Sequence, residues 1–207
     1  MGIGAYIYGF EVCDYHTETA ATPIDEAIQA QDSKRLALIS LAYLCGSTAH
    51  TISFMYAKDA AAYAGSARNT TSAAAAAAQA VIDVSTTPRD PAGNAAAASD
   101  IVAYQCTDDT WEFNTIASVS TKAITHNTNL AKAVASGAKY LIFGVVGDGA
   151  CLKIKVTASV ENKYGAAAGG SGIVLAHPYI GEPFYVSIDN GTTAGYLNSA
   201  LFAHIDK

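Results

Sequence analysis

Leu152-Lys153-Ile154-Lys155-Val156-Thr157-Ala158-Ser159-Val160 alternates apolar and polar side chains without a break. Successive side chains on a β-strand point to opposite faces. Period two therefore puts Leu152, Ile154, Val156, Ala158 and Val160 on one face and Lys153, Lys155, Thr157 and Ser159 on the other. This is the signature of a half-buried strand. Toward the C-terminus, Gly165 to Gly172 reads as a flexible loop, and Ile173 to Ala176 and Phe184 to Ile188 as strands. Asn190-Gly191 is a turn pair that fits a hairpin. Tyr196 to Ile205 fits a strand or a short helix, because Leu197, Leu201 and Ile205 recur every four residues.

Toward the N-terminus the same β texture continues. Lys139 to Val146 is an apolar strand ended by Gly147-Asp148-Gly149, and Lys122 to Thr128 alternates. Ile101 to Gln105 and Thr110 to Val119 read as strands joined by the acidic turn Thr107-Asp108-Asp109. Ala80 to Ser85 is a short strand, and Pro88, Pro91 and Gly93-Asn94 mark a loop. The spacing of these elements is that of a small barrel. Thr51 to Tyr56 is rich in β formers. Leu36 to Cys45 is continuously apolar, and periodicity alone leaves strand and buried helix open.

Helix signals are few. Thr22 can cap, Pro23 suits the first helical position and Asp25-Glu26 suit the positive helix start, which predicts a short helix to about Gln31. Ser72 before the unbroken alanines Ala73 to Ala78 predicts a second, marginal unless packing holds it. Residues 1–20 read as an arm, with Tyr6, Tyr8 and Phe10 as candidate interface anchors that pair as an edge strand or reach onto a neighbouring subunit. The expected organisation is an N-terminal arm and helix over 1–35, a barrel-like domain with an alanine-rich insertion over 36–147, and a β region over 148–207 that joins the same domain or stands apart. The fold class is thus mainly β, a small β-barrel or β-sandwich with an N-terminal arm and one or two short helices.

Charged residues make up 14% of the chain, against about 25% in an ordinary globular domain. Surface held against other protein is depleted in charge in this way. The net charge is −6, and Lys34-Arg35 is the lone adjacent basic pair, so the clustered cations that phosphates demand are missing and no nucleic-acid partner is expected. No apolar run reaches the ~20 residues of a membrane-spanning helix. Met1-Gly2-Ile3-Gly4-Ala5-Tyr6 lacks the basic and apolar segments of a secretory signal, so a product made in the cytoplasm is expected.

Cys13, Cys45, Cys106 and Cys151 are dispersed, which predicts reduced thiols, with neither a disulfide framework nor a zinc site. Phosphate loops, dinucleotide fingerprints and the HExxH pattern are absent, and Gly169-Gly170-Ser171-Gly172 fails the nucleophile-elbow pattern because Ile173 replaces the last glycine. Cys13 with Asp14 and His16 lies on one extended segment, a poor basis for a nucleophile and its base. Asp108-Asp109 followed by Trp111-Glu112-Phe113 could serve a sugar, but a turn leading into an amphipathic strand accounts for it. No catalytic residue, metal ligand or cofactor is expected.

Ala49-His50-Thr51-Ile52-Ser53-Phe54-Met55, the alanine tract, Pro91-Ala92-Gly93-Asn94-Ala95-Ala96, Asp100-Ile101-Val102-Ala103 and Lys139 to Gly144 form an ordered series. Over about residues 36–147 that series resembles the virion structural proteins of tailed bacteriophages, of the capsid decoration or cement type. The resemblance is one of texture and order, without a diagnostic motif. It implies a β-barrel or β-sandwich fold without enzymatic activity, made in the host cytoplasm and placed on the capsid surface of the virion. Its partners would be the major capsid protein and copies of itself, a trimer matching a local threefold of the shell. A tail or connector subunit, or a receptor- or carbohydrate-binding β module using Trp111 and the tyrosines, are the alternative expectations.

Overall fold

A computed structural model describes residues 8–14, 24–28, 35–44, 49–57, 69–90, 93–144, 152–165, 168–169, 175–176, 181–189 and 196–205. Among the described residues all the regular elements are strands, and they form three sheets. The chain divides into two compact units: Met1–Phe54 with Cys151–Lys207, and Met55–Ala150.

The first unit contains β1 (Tyr8–Asp14), β2 (Ile24–Ile28), β3 (Arg35–Leu44), β4 (His50–Met55), β10 (Leu152–Val156), β11 (Glu161–Gly165), β12 (Leu175–Ala176), β13 (Phe184–Asp189) and β14 (Tyr196–Ile205). One sheet runs β1-β14-β3-β11, with β12 also on β3, and a second runs β10-β4-β13-β2. The chain thus moves between the two sheets at nearly every connection. β3 is the centre of its sheet, flanked by β14 on one side and by β11 and β12 on the other. Leu36, Ala37, Leu38, Leu41, Ala42 and Tyr43 are all buried. Adjacent residues on both faces are therefore covered, which explains an unbroken apolar run where a half-exposed strand would alternate.

The alternating stretch that opens at Leu152 is only half strand. β10 ends at Val156, Ile154 is buried and Lys155 exposed as the pattern requires, but Val160 is 46% exposed. Asn162 ends the strand: its side-chain amide donates to the Thr157 and Val160 carbonyls and its Oδ1 accepts the Thr157 N–H at 2.8 Å. A buried polar side chain satisfied three times thus fixes the turn that carries the chain to β11.

Several expectations are corrected. The predicted helix from Thr22 is the strand β2, paired antiparallel with β13 from Ile24↔Ile188 to Ile28↔Phe184. A helix of that length is marginal in water, and a partner strand distant in sequence outweighs its capping signals. Of residues 1–35, the described parts before Arg35 are strands: β1 pairs with β14 at a sheet edge, one of the two readings of the arm, and β2 lies in the other sheet where the helix was expected. The three-part division also gives way: β3 and β4, assigned to the central domain, lie with the C-terminal strands. Tyr196 to Ile205 is strand throughout, and β14 shifts register against β3 between Leu197 and Ser199 and again between Leu201 and Phe202. A spacing of four fits a strand as well as a helix, because residues i and i+4 also share one face of a strand.

The second unit, Met55–Ala150, interrupts the first between Phe54 and Leu152, which are paired antiparallel. The second unit holds β5 (Val81–Asp83), β6 (Ile101–Gln105), β7 (Trp111–Ser120), β8 (Ala123–His126) and β9 (Tyr140–Gly144), in the order β5-β8-β7-β6-β9. None of the three sheets closes on itself through its strands. Residues Asn69–Ser72 nevertheless bond to both edges of this one. On the β9 side Thr71 N–H donates to Ala138 and Tyr140 N–H to Asn69; on the β5 side Ser72 N–H donates to Asp83 and Ser85 N–H to Thr70. The core holds Ile82, Val84, Val102, Tyr104, Ile116, Ile124, Leu130, Val134, Tyr140 and Ile142. Each large apolar side chain buried there contributes about 1.5–3 kcal/mol before entropy is subtracted.

The alanine tract is not a helix. Ala75 exchanges both backbone hydrogen bonds with Val134, and Ala78, at φ 71°, donates to the Leu130 carbonyl. Of Ala73 to Ala78, Ala75 alone is buried. Alanine lacks a side chain able to hold a lone helical turn in place, so the β-type partner decides the conformation.

Candidate functional site

The sequence-level candidates fall in different places. Tyr6 and His16 lie outside the described residues. Tyr8 and Phe10 lie on β1, opposite His204 and Phe202 of β14, so their backbone pairs within this chain's own sheet. Cys13 and Asp14 end the same strand. Cys45 and Cys151 lie outside the described residues, and Cys106 is a buried free thiol.

The acidic turn and the strand after it come together as a polar cluster around residues 127–138, here called the strap. Glu112 Oε1 accepts the Ala131 N–H at 2.7 Å and Oε2 the Lys132 N–H at 2.8 Å. Asn114 donates its amide to the Thr128 carbonyl and accepts the Thr128 hydroxyl. Asp108 takes the Lys132 ammonium at 2.8 Å and the Thr110 hydroxyl at 2.6 Å. Those bonds, that to Lys132 first, hold its carboxyl at about 2. At the far end of the strap, the buried Thr71 hydroxyl donates to the Ala135 carbonyl and accepts the Ala138 N–H. Sequence reasoning missed this role: a carboxylate aimed at two backbone N–H groups 19 and 20 residues downstream leaves no local signature.

These contacts decide what the cluster can do. Both Glu112 oxygens are engaged by backbone, which leaves it poorly placed as a general acid or base. Trp111 is 5% exposed and offers no open face for a sugar. Burial, then the carboxylates of Glu112 and Asp108, push the Cys106 thiol up to about 11, so it stays protonated and unreactive at neutral pH. Among the described residues no three His, Cys, Asp or Glu side chains gather as a metal would require.

Two further features stand out. An open groove of about 440 Å³ is lined by Ser72, Asp83, Val84, Ser85, Ser120, Lys122 and Ala123. It carries hydroxyls and one charge of each sign, without an aromatic platform or a histidine. Inside the core, the Tyr104 phenol meets His126 Nε2 at 2.8 Å, with the rings edge to face at 5.2 Å. Burial and the neighbouring Tyr140 keep the Tyr104 phenol protonated well past the ordinary tyrosine range.

No protein family, curated protein or solved structure matches this chain.

Proposed function

We propose that this chain is a non-enzymatic virion structural protein that decorates or cements a bacteriophage capsid through protein–protein contacts. The observation that carries the reading is the strand order of the first unit. Sheets ordered β1-β14-β3-β11 and β10-β4-β13-β2, with the chain passing between them at nearly every step, follow, the short β12 aside, the strand order of an eight-stranded jelly-roll sandwich, which supports this reading. Viral capsid domains use that architecture, as do lectins. Fold and function are linked here by analogy, and the low charge and the sequence resemblance add to it. In the second unit, the bonds of Asn69–Ser72 to both sheet edges support a small barrel inserted between β4 and β10.

Against the lectin reading, among the residues whose side chains are described the large hydrophobics that are exposed are Val81 and Val160, and no aromatic is among them. The partners under this proposal are the major capsid protein and further copies of this chain, as a trimer, with Tyr6, Tyr8 and Phe10 at a subunit contact. Electron microscopy of capsids assembled with and without the protein is the test. Added density at regular lattice positions is expected. Binding to free glycan or to tails, with bare capsids unchanged, would overturn the proposal.

A further inference from the structure

We propose that the second unit carries an acid-operated latch: protonation of His126 releases the strap 127–138 from the strands it covers. His126 closes β8 and is 4% exposed. Its Nε2 faces the Tyr104 hydroxyl, and its Nδ1 is buried without a hydrogen-bond partner among the described residues. A neutral imidazole has one donor and one acceptor, and Tyr104 satisfies one of them. A second proton adds a positive charge to a ring that is almost wholly buried, which is costly in a low-dielectric core.

The surroundings set the balance. On β7, the Glu112 carboxylate favours the charged ring, and so does the Ala80 carbonyl, which also accepts the His126 backbone N–H at 2.8 Å. On β6 and β9, the Tyr104 phenol, which burial keeps protonated, and the Tyr140 ring lie 6.2 Å apart. Burial outweighs the favourable groups and draws the imidazole below its ordinary 6.5. The folded pKa being the lower one, the unfolded or opened form binds more protons between the two values. Stability is complete above about pH 6.5 and falls as pH drops through it, by up to about tenfold in the opening equilibrium per pH unit, until the folded pKa is reached.

The strap is the segment that responds, because it begins at the next residue. Asn127 N–H bonds to Thr115, Leu130 N–H to Gln79 and Gly137 N–H to Thr71. Leu130 and Val134 are 2% and 1% exposed, so opening uncovers an apolar surface that is hidden at neutral pH. The inference rests on the geometry of this unit and not on the capsid reading.

His126 is the one histidine in residues 55–150, which makes the test selective. Hydrogen exchange of strap peptides in the full chain, corrected for intrinsic rates, would be compared at pH 7.5 and 5.5. The wild type should open more readily at the lower pH, by up to about tenfold per unit below 6.5, and His126→Gln should lose that dependence. An equal acid response in His126→Gln, or none in the wild type, overturns the latch. Should the variant fail to fold, a ring titration of wild-type His126 by nuclear magnetic resonance decides. A midpoint below 6.5 with strap signals moving in step supports the proposal, and an ordinary midpoint or still strap signals overturn it.

Discussion

Glu112→Ala removes the carboxylate that holds the strap. Two backbone N–H groups, at 2.7 and 2.8 Å, lose their acceptor together. A hydrogen bond to a charged group contributes about 1.5–3 kcal/mol, which sets a ceiling of about 3–6 kcal/mol for the pair. Glu112 is half-buried, and water can reach the freed N–H groups. The expected loss is therefore at or just below the bottom of that range, about 2–3 kcal/mol. In a unit of this size that lowers the melting temperature by roughly 10–20 °C. Trp111 is the chain's single tryptophan and is buried beside Glu112, so its fluorescence reports the melting of this unit alone. Lys132→Met supplies the contrast. It breaks an ion pair with Asp108 whose side chains are 45% and 51% exposed, and because solvent screens such a pair it should leave the melt close to that of the wild type. A Glu112→Ala loss below about 0.5 kcal/mol, the range of an ordinary surface substitution, would refute the claim that this carboxylate fastens the strap.

Three other outcomes are expected. Gly137 sits at φ +77° with open space where a Cβ would go, so Gly137→Ala should destabilise the second unit by about 1–2 kcal/mol through backbone strain alone, read by the same fluorescence melt. Burial, opposed by the Ala97 N–H and aided by Asp90, raises the Asp100 carboxyl above its ordinary value. A raised carboxylate is worth most to the fold when protonated and loses that contribution as pH rises through its folded pKa. Asp100→Asn, which keeps an acceptor for Ala97, should therefore hold or raise stability at pH 7 and flatten its pH dependence on the acid side, measured by urea midpoints across pH. Replacing residues 56–150 with an Asn-Gly turn should leave the first unit folded, because Phe54 and Leu152 are already paired. Loss of its β circular dichroism or of its solubility would show that the two units fold only together.

The sequence by itself determined the class and most of the strands. Period two marked β10, β-former content marked β4, and Ile101 to Gln105 was legible to the residue. It also carried the low charge on which the functional reading leans. It could not reveal which strands are neighbours, since β1 beside β14 and β2 beside β13 are pairings between opposite ends of the chain. Local signals at Pro23 and Ser72 pointed to helices, and distant backbone partners overruled them. The interruption of a β4–β10 pair by a whole unit was likewise invisible, because chain order records no spatial return. The candidate site shows the same division. Glu112, Thr71 and His126 are ordinary residues in sequence, and each acquires its role from a group that only the tertiary fold brings within hydrogen-bonding distance. Periodicity and composition report the environment of each segment, whereas pairing, burial of a titratable ring and satisfaction of buried polar groups depend on contacts far apart along the chain.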